Sequence, residues 1–148
     1  MKPQDQFHVG IVVDDLEAAI AELTAVAGYS WGMPVDVEQQ VDLAHGTVAV
    51  HFQFRYSVEE PRLEVIQAQP GTIWTSSGSG LHHLGFWSDD LEADGAALEA
   101  SGYELEAAGG VDARPTWTYH RRPTGPRIEL ISREIAAMMS VLWTPSTS

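Results

Sequence analysis

Two apolar rhythms alternate along the chain. Short, mostly apolar runs over residues 7–13 and 83–87 suit buried strands. Behind each comes a stretch of helical period, with Leu16, Ile20 and Leu23 on one face and Leu91 and Leu98 in the matching parts of the second. Asp14 with Glu17, and Asp89 with Glu92, have capping-box spacing. Aspartate there replaces serine or threonine and suits the positive end of a helix. Gly28 and Gly102 fall where a helix end favours a residue tolerant of positive φ. Strand character returns over 35–43, 47–56 and 62–67, and again over 103–106, 116–121 and 127–131. Turn signals separate these runs at Glu59-Glu60-Pro61, Gly109-Gly110 and Pro123-Thr124-Gly125-Pro126.

The order strand, helix, three strands therefore occurs twice, and the sequence repeats with it. FHVGIVVDDLEAAIAEL starts at Phe7, and HHLGFWSDDLEADGAAL starts at His82, 75 positions later. The expected fold is α+β: two tandem βαβββ modules, at about 6–70 and 81–132, within one domain spanning 1–148. A module of about 70 residues buries too little core alone, so the two should share an interior. The segment GTIWTSSGSG, residues 71–80, reads as the linker and a candidate flap. Residues 133–143 read as a short helix, followed by a frayed polar tail.

Composition narrows the function classes. A hydrophobic share of 44% is that of a globular chain. No apolar run approaches the roughly 20 residues of a membrane span, and the N-terminus lacks the regions of a secretory signal. The absence of cysteine excludes disulfides, thiolate metal sites and cysteine nucleophiles. These features lead to the expectation of a cytoplasmic protein. A net charge of −13 argues against nucleic acid or an anionic membrane as partner. Five of the seven arginines nevertheless fall between Arg114 and Arg133. They form either a local anion site or ordinary solvent-facing decoration of late strands.

Strand alternation places His8, Gly10 and Val12 on one face, and His83, Gly85 and Trp87 on the matching face of the second copy. The glycines either leave room beside each imidazole or simply permit close strand packing. Glu64 in RLEVI and Glu129 in RIELI are single acids in apolar strands, costly to bury unless paired, protonated or metal-bound. One such acid could face outward. Two, at equivalent points of a repeat that also carries two histidines, point to a shared site. Two imidazoles and two carboxylates suit one divalent ion such as Zn, Ni, Co, Mn or Fe, in preference to calcium or magnesium.

FHVGIVVDDLEAA, RLEVIQ, GLHHLGFWSDDLEA and GPRIELIS together resemble the vicinal oxygen chelate superfamily over residues 6–132. That superfamily includes glyoxalases, epimerases, extradiol dioxygenases and the bleomycin and fosfomycin resistance proteins. The resemblance implies His8, Glu64, His83 and Glu129 as metal ligands, with His82 pointing away in a structural or supporting role. It also implies proton abstraction beside a metal-bound carbonyl, with Glu129 and then Glu64 as the base. A lyase or isomerase of glyoxalase or epimerase type is therefore expected. A sequestering resistance protein or a small extradiol-type dioxygenase is the alternative. Methylmalonyl-CoA epimerases carry a carboxylate on the third strand where Ala49 stands here, which makes His51 and Gln53 candidate cavity residues. His51 is equally compatible with a solvent-facing strand position. Trp31, Trp74, Trp87 and Trp117 are candidates for an aromatic wall, and Trp87 is taken as substrate-binding. Arg121 and Arg122 are assigned to the carboxylate or phosphate of a small anionic substrate. A homodimer is expected from the resemblance alone.

Overall fold

Each half of the chain opens with a strand that leads directly into a helix. In the computed structural model, which describes residues 1–111 and 114–145, these are β1 (Gln6–Val13) with α1 (Leu16–Ala27), and β5 (Leu81–Ser88) with α2 (Leu91–Ala100). The first half continues through β2 (Val35–Leu43), β3 (Gly46–Tyr56) and β4 (Leu63–Gln67). The second continues through β6 (Glu104–Val111), β7 (Arg114–Arg121) and β8 (Arg127–Ser132). This is the expected βαβββ order, twice. The strands close into a barrel in the order β1-β4-β3-β2-β6-β7-β8-β5. Within each half the first strand runs parallel to the last, while β1/β5 and β2/β6 join the halves in antiparallel fashion.

The helices start one residue later than the capping-box spacing predicts. Asp15 and Asp90 are the N-caps, each accepting a hydrogen bond at 2.9 Å, from the backbone N–H of Ala18 and Ala93 respectively. Asp14 instead holds the linker, accepting from the Ser76 hydroxyl. Gly28 ends α1 at φ 77°. Packing outweighs capping here: a cap contributes about 1 kcal/mol, whereas each buried aliphatic side chain contributes about 1.5–3 kcal/mol. Leu16 and Ile20 of α1 pack on Val65, and Leu98 of α2 packs on Ile128 and Leu130. Both helices thus lie outside the barrel, and the opposite faces of β4 and β8 are left to point inward.

Gly109 and Gly110 do not form the expected turn; they lie within β6. A side chain at Gly109 would collide with the Trp117 ring, and one at Gly110 with the Arg114 carbonyl oxygen. They are needed for close approach of β7. The linker also departs from the picture of a free flap: Trp74 is 1% exposed and packs among Val12, Phe52 and Tyr119 in the barrel core.

The chain after β8 breaks into short turns rather than one helix: Arg133–Ile135, α3 (Ala136–Met139) and Ser140–Trp143. The expected polar tail reaches beyond the described residues at 146–148. Met139 packs on Tyr56 and Ile131, with Trp143 and Leu142 alongside, so this segment closes one end of the barrel. It is fastened by a bridge between Gly32 and Pro145. A β-carbon at Gly32 would sit 1.9 Å from the Leu142 carbonyl oxygen. Gly32→Ala is expected to dislodge the segment, at a cost of about 1–3 kcal/mol. A lowered melting temperature together with faster proteolytic nicking in 133–145 checks this. No helix among the described residues is long and apolar enough to cross a membrane.

Candidate metal centre

The seam between the two halves is where the chemistry collects. On β1 and β5 the antiparallel register sets His8 opposite Gly85 and Gly10 opposite His83. On the outer flanks Gly10 pairs with Glu64 of β4, and Gly85 with Glu129 of β8. Each histidine therefore lies over the glycine of the other half. A β-carbon at Gly10 would fall 1.8 Å from His83 Cε1, and one at Gly85 would fall 1.9 Å from His8 Cε1. The space beside each glycine is filled by the crossed imidazole, not left for a ligand.

This register brings together His8, Glu64, His83 and Glu129, one from each of four strands, with a donor atom from each within 4.8 Å of the others. The two Nε2 atoms are 2.8 Å apart. The four Nε2 to carboxylate Oε2 separations run from 3.0 to 3.5 Å. Donors 2.0–2.2 Å from one metal lie about 2.8–3.6 Å apart as neighbours in octahedral or tetrahedral geometry. All four residues are buried, the histidines at 2% and 0% exposure. Both Oε2 atoms are buried without a hydrogen-bond partner, as an inward-facing donor awaiting a cation would be. The set is thus a buried His₂Glu₂ group able to hold a divalent ion.

Without an ion the four groups hold one another. Burial would raise the Glu64 carboxyl, but the His8 and His83 imidazoles, 3.5 and 3.2 Å from its Oε2, outweigh it and keep it below its ordinary value. Glu129 is likewise lowered, burial being overcome chiefly by the charge of His83. For His83, burial lowers and the Glu129 charge raises, and the balance holds it at about 9. His8 is raised for the same reason, by the Glu129 and Glu64 carboxylates 3.0 and 3.5 Å from its Nε2.

His82 does not turn its back on the site. Its Nδ1 lies 3.0 Å from His83 Nδ1, and its Nε2 lies 2.9 Å from the Ile73 carbonyl oxygen. Burial, then the neighbouring His83 charge, push it down to about 3, so it is neutral.

Two residues that sequence reasoning overlooked complete the symmetry. Tyr56 stands opposite Glu64 in β3/β4, and Tyr119 opposite Glu129 in β7/β8. Their rings meet His8 and His83 edge-on, at 5.4 and 5.0 Å between centroids. Burial, then the nearby carboxylates, push both phenols well above their ordinary value, so both remain hydroxyl donors. The only available signal was an aromatic residue near the end of each third strand. A cavity of about 130 Å³ opens beside the two glutamates, walled by Phe52, Trp74, Trp117, Tyr56, Tyr119 and Met139.

The other sequence candidates lie elsewhere. His51 and Gln53 face outward, where both hydrogen-bond Asp36, because Val50, Phe52 and Phe54 take the inward positions of β3. Trp87 stacks on Phe7 at 3.9 Å and does not line the cavity. Trp31 packs against the α1 cluster, its Nε1 donating to Thr24. Arg121 is exposed and 3.6 Å from Glu106, and the Arg122 guanidinium lies over the Tyr103 ring at 5.3 Å. Neither arginine lines the cavity, and its described lining contains no lysine or arginine.

A double βαβββ barrel with two histidines and two glutamates buried at its seam defines the class by its fold and by a group able to hold a metal. Residues 7–120 match the model of the Glyoxalase/Bleomycin resistance protein/Dioxygenase superfamily, and the chain belongs to that superfamily. Among solved structures it resembles a variant of Streptomyces coelicolor methylmalonyl-CoA epimerase in complex with 2-nitronate-propionyl-CoA. That match has TM-score 0.59 and 16% identity, covering 86% of this chain and 96% of the other. Methylmalonyl-CoA epimerase from Mycobacterium tuberculosis matches with TM-score 0.58 and 19% identity, covering 90% and 91%. A hypothetical protein from Bacillus halodurans matches with TM-score 0.60 and 12% identity, covering 86% and 93%. At these identities the likeness is one of fold. No curated protein matches the chain in sequence.

Proposed function

We propose that the protein is a divalent-metal-dependent isomerase or lyase that moves a proton on a carbon next to a carbonyl. The carrying observation is the pair of buried carboxylates, Glu64 and Glu129, each inward-facing with an unpartnered oxygen beside the same two imidazoles. When bound, a divalent ion supplies a Lewis acid that polarises the carbonyl and makes the neighbouring C–H acidic. Glu129 takes the proton and Glu64 stands on the other half of the pseudo-symmetric site, placed to deliver one or to serve as base itself. No further carboxylate lines the described cavity, which supports these two as the groups that carry the proton. Tyr56 and Tyr119 stay protonated beside the carboxylates, and the aromatic wall keeps water away from the reacting carbon.

At about 130 Å³ the cavity is smaller than the roughly 300–1,000 Å³ of drug-sized sites. It fits the reacting carbonyl portion of a substrate, with any longer carrier left outside. The structural neighbours include methylmalonyl-CoA epimerase with methylmalonyl-CoA, which makes 2-substituted acyl thioesters the first compounds to test and hemithioacetals the second.

The test is solvent exchange. Protein loaded in turn with Zn, Ni, Co, Mn and ferrous iron is incubated with each substrate in D₂O. Deuterium is expected at the carbon beside the carbonyl, with isomerised product. Glu129→Gln is expected to slow this at least about 100-fold while the protein remains folded. Metal-loaded protein that binds these compounds without exchange would return the function to sequestration. Oxygen uptake with catechols and ferrous iron would return it to dioxygenation.

A further inference from the structure

We infer that His82 is a positioning residue that fixes the tautomer and the aim of His83, and that it does so on behalf of the linker between the halves. The inference rests on the metal-site reading above for its purpose, but the hydrogen-bond chain stands on geometry alone.

The donor order in that chain has one solution. The Ile73 carbonyl oxygen can only accept, so the proton in that 2.9 Å bond belongs to His82 Nε2. The described partners of the buried His82 are a carbonyl oxygen and another imidazole, with no carboxylate to hold a second proton, so with its proton on Nε2 its Nδ1 keeps the lone pair. The 3.0 Å contact to His83 must then be filled by a proton on His83 Nδ1. With that proton fixed, the lone pair of neutral His83 is on Nε2, the atom that faces His8, Glu64 and Glu129. The wrong tautomer of His83 would set two lone pairs, on the Nδ1 atoms of His82 and His83, against each other. Its Nε2 would also carry a proton where a metal donor is needed. Both imidazoles are buried, at 4% and 0% exposure, so water does not substitute for either partner.

The other half has no such device. His8 Nδ1 is buried without a hydrogen-bond partner. The residue before it is Phe7, whose ring is occupied with Trp87. The two histidines of an otherwise symmetric site are therefore inequivalent: one is oriented by a two-bond chain, the other by packing alone. The chain ends on Ile73, and the next residue, Trp74, forms part of the cavity wall. The backbone that shapes the cavity thus also aims a ligand. A supporting hydrogen bond of this kind raises ligand basicity, and its loss typically lowers metal affinity about 10- to 100-fold.

The test uses the full-length protein, first without metal. Long-range ¹H–¹⁵N spectra should show His82 protonated on Nε2 alone and His83 protonated on Nδ1. His82 carrying its proton on Nδ1 would overturn the inference whatever the metal result, and this measurement needs no variant. His82→Phe keeps the ring and removes the acceptor, while His82→Asn keeps an oxygen acceptor near the Nδ1 position. Titration with Co²⁺ is expected to show affinity about 10- to 100-fold weaker for His82→Phe and within about threefold of wild type for His82→Asn. The d–d absorption should change only in His82→Phe. Equal weakening in both variants, or none in His82→Phe, would overturn the positioning role. Failure of the wild type to bind Co²⁺, with the ¹⁵N pattern intact, would instead remove the metal reading and leave the hydrogen-bond chain standing.

Discussion

Gly10→Ala is expected to disable the histidine of the other half. The new methyl would fall 1.8, 2.1 and 2.4 Å from three atoms of the His83 ring. These are not distances that a small shift relieves, because the ring is held by His82 behind it and by the carboxylates in front. The imidazole must leave. Gly85→Ala should do the same to His8, whose Cε1 would be 1.9 Å away. Each variant is expected to lose metal affinity by at least about 100-fold and about 1–3 kcal/mol of stability from overpacking. Gly95→Ala is the control. Its β-carbon would meet His120 at 3.5 Å, ordinary contact, and it lies within α2, where alanine should add about 0.5–1 kcal/mol. Metal content per chain and melting temperature, measured on all three, check the pattern. A Gly10→Ala protein with full metal content would show that the crossed packing is wrong.

Metal affinity should rise steeply with pH. In the metal-free protein His83 titrates at about 9, so at neutral pH it carries a proton that the incoming ion must displace. One displaced proton means about tenfold tighter binding per pH unit, or about 100-fold between pH 6 and 8, flattening near pH 9. His8 is raised too, so the slope is at least this steep. Folding of the metal-free form carries the opposite sign. The raised histidines contribute stability that is complete below their ordinary 6.5 and lost as pH climbs through their folded values. The lowered glutamates contribute stability that is complete above 4.5 and lost in acid. Metal-free protein should therefore be most stable between pH 4.5 and 6.5, and metal-loaded protein at higher pH. Titrations in buffers of differing protonation enthalpy would count the released proton. Affinity flat from pH 6 to 8 would contradict the cluster of charges described here.

The repeat made much of this legible. His8 and His83, and Glu64 and Glu129, announce themselves because one pattern recurs and because a lone acid in an apolar strand needs an explanation. Register is what the chain does not spell out. That each histidine crosses over the other half's glycine follows from the antiparallel pairing of β1 with β5, a contact between residues 75 positions apart. Tyr56 and Tyr119 are not legible as a pair because loops of unequal length put them at different distances from their glutamates along the sequence. His51 and Gln53 were misplaced for an instructive reason. Matching Ala49 to a family carboxylate places them on the polar face of β3, whereas Val48, Val50, Phe52 and Phe54 alternate on the other. The apolar alternation was the stronger physical signal. Trp74 shows the same lesson in a loop: flanked by serine, threonine and glycine, it reads as flexible, yet its ring is the plug of the core.

The placement of the four candidate ligands has a mechanical consequence. Two come from each half, and they meet at the seam formed by β1 and β5. A bound ion would act as a clasp between the halves. At a concentration 1,000 times its dissociation constant it would add about 4 kcal/mol against their separation. α1 packs on Val65 and α2 on Ile128 and Leu130, outside the barrel, so the ion's contribution would fall on the seam and not on the seating of either helix.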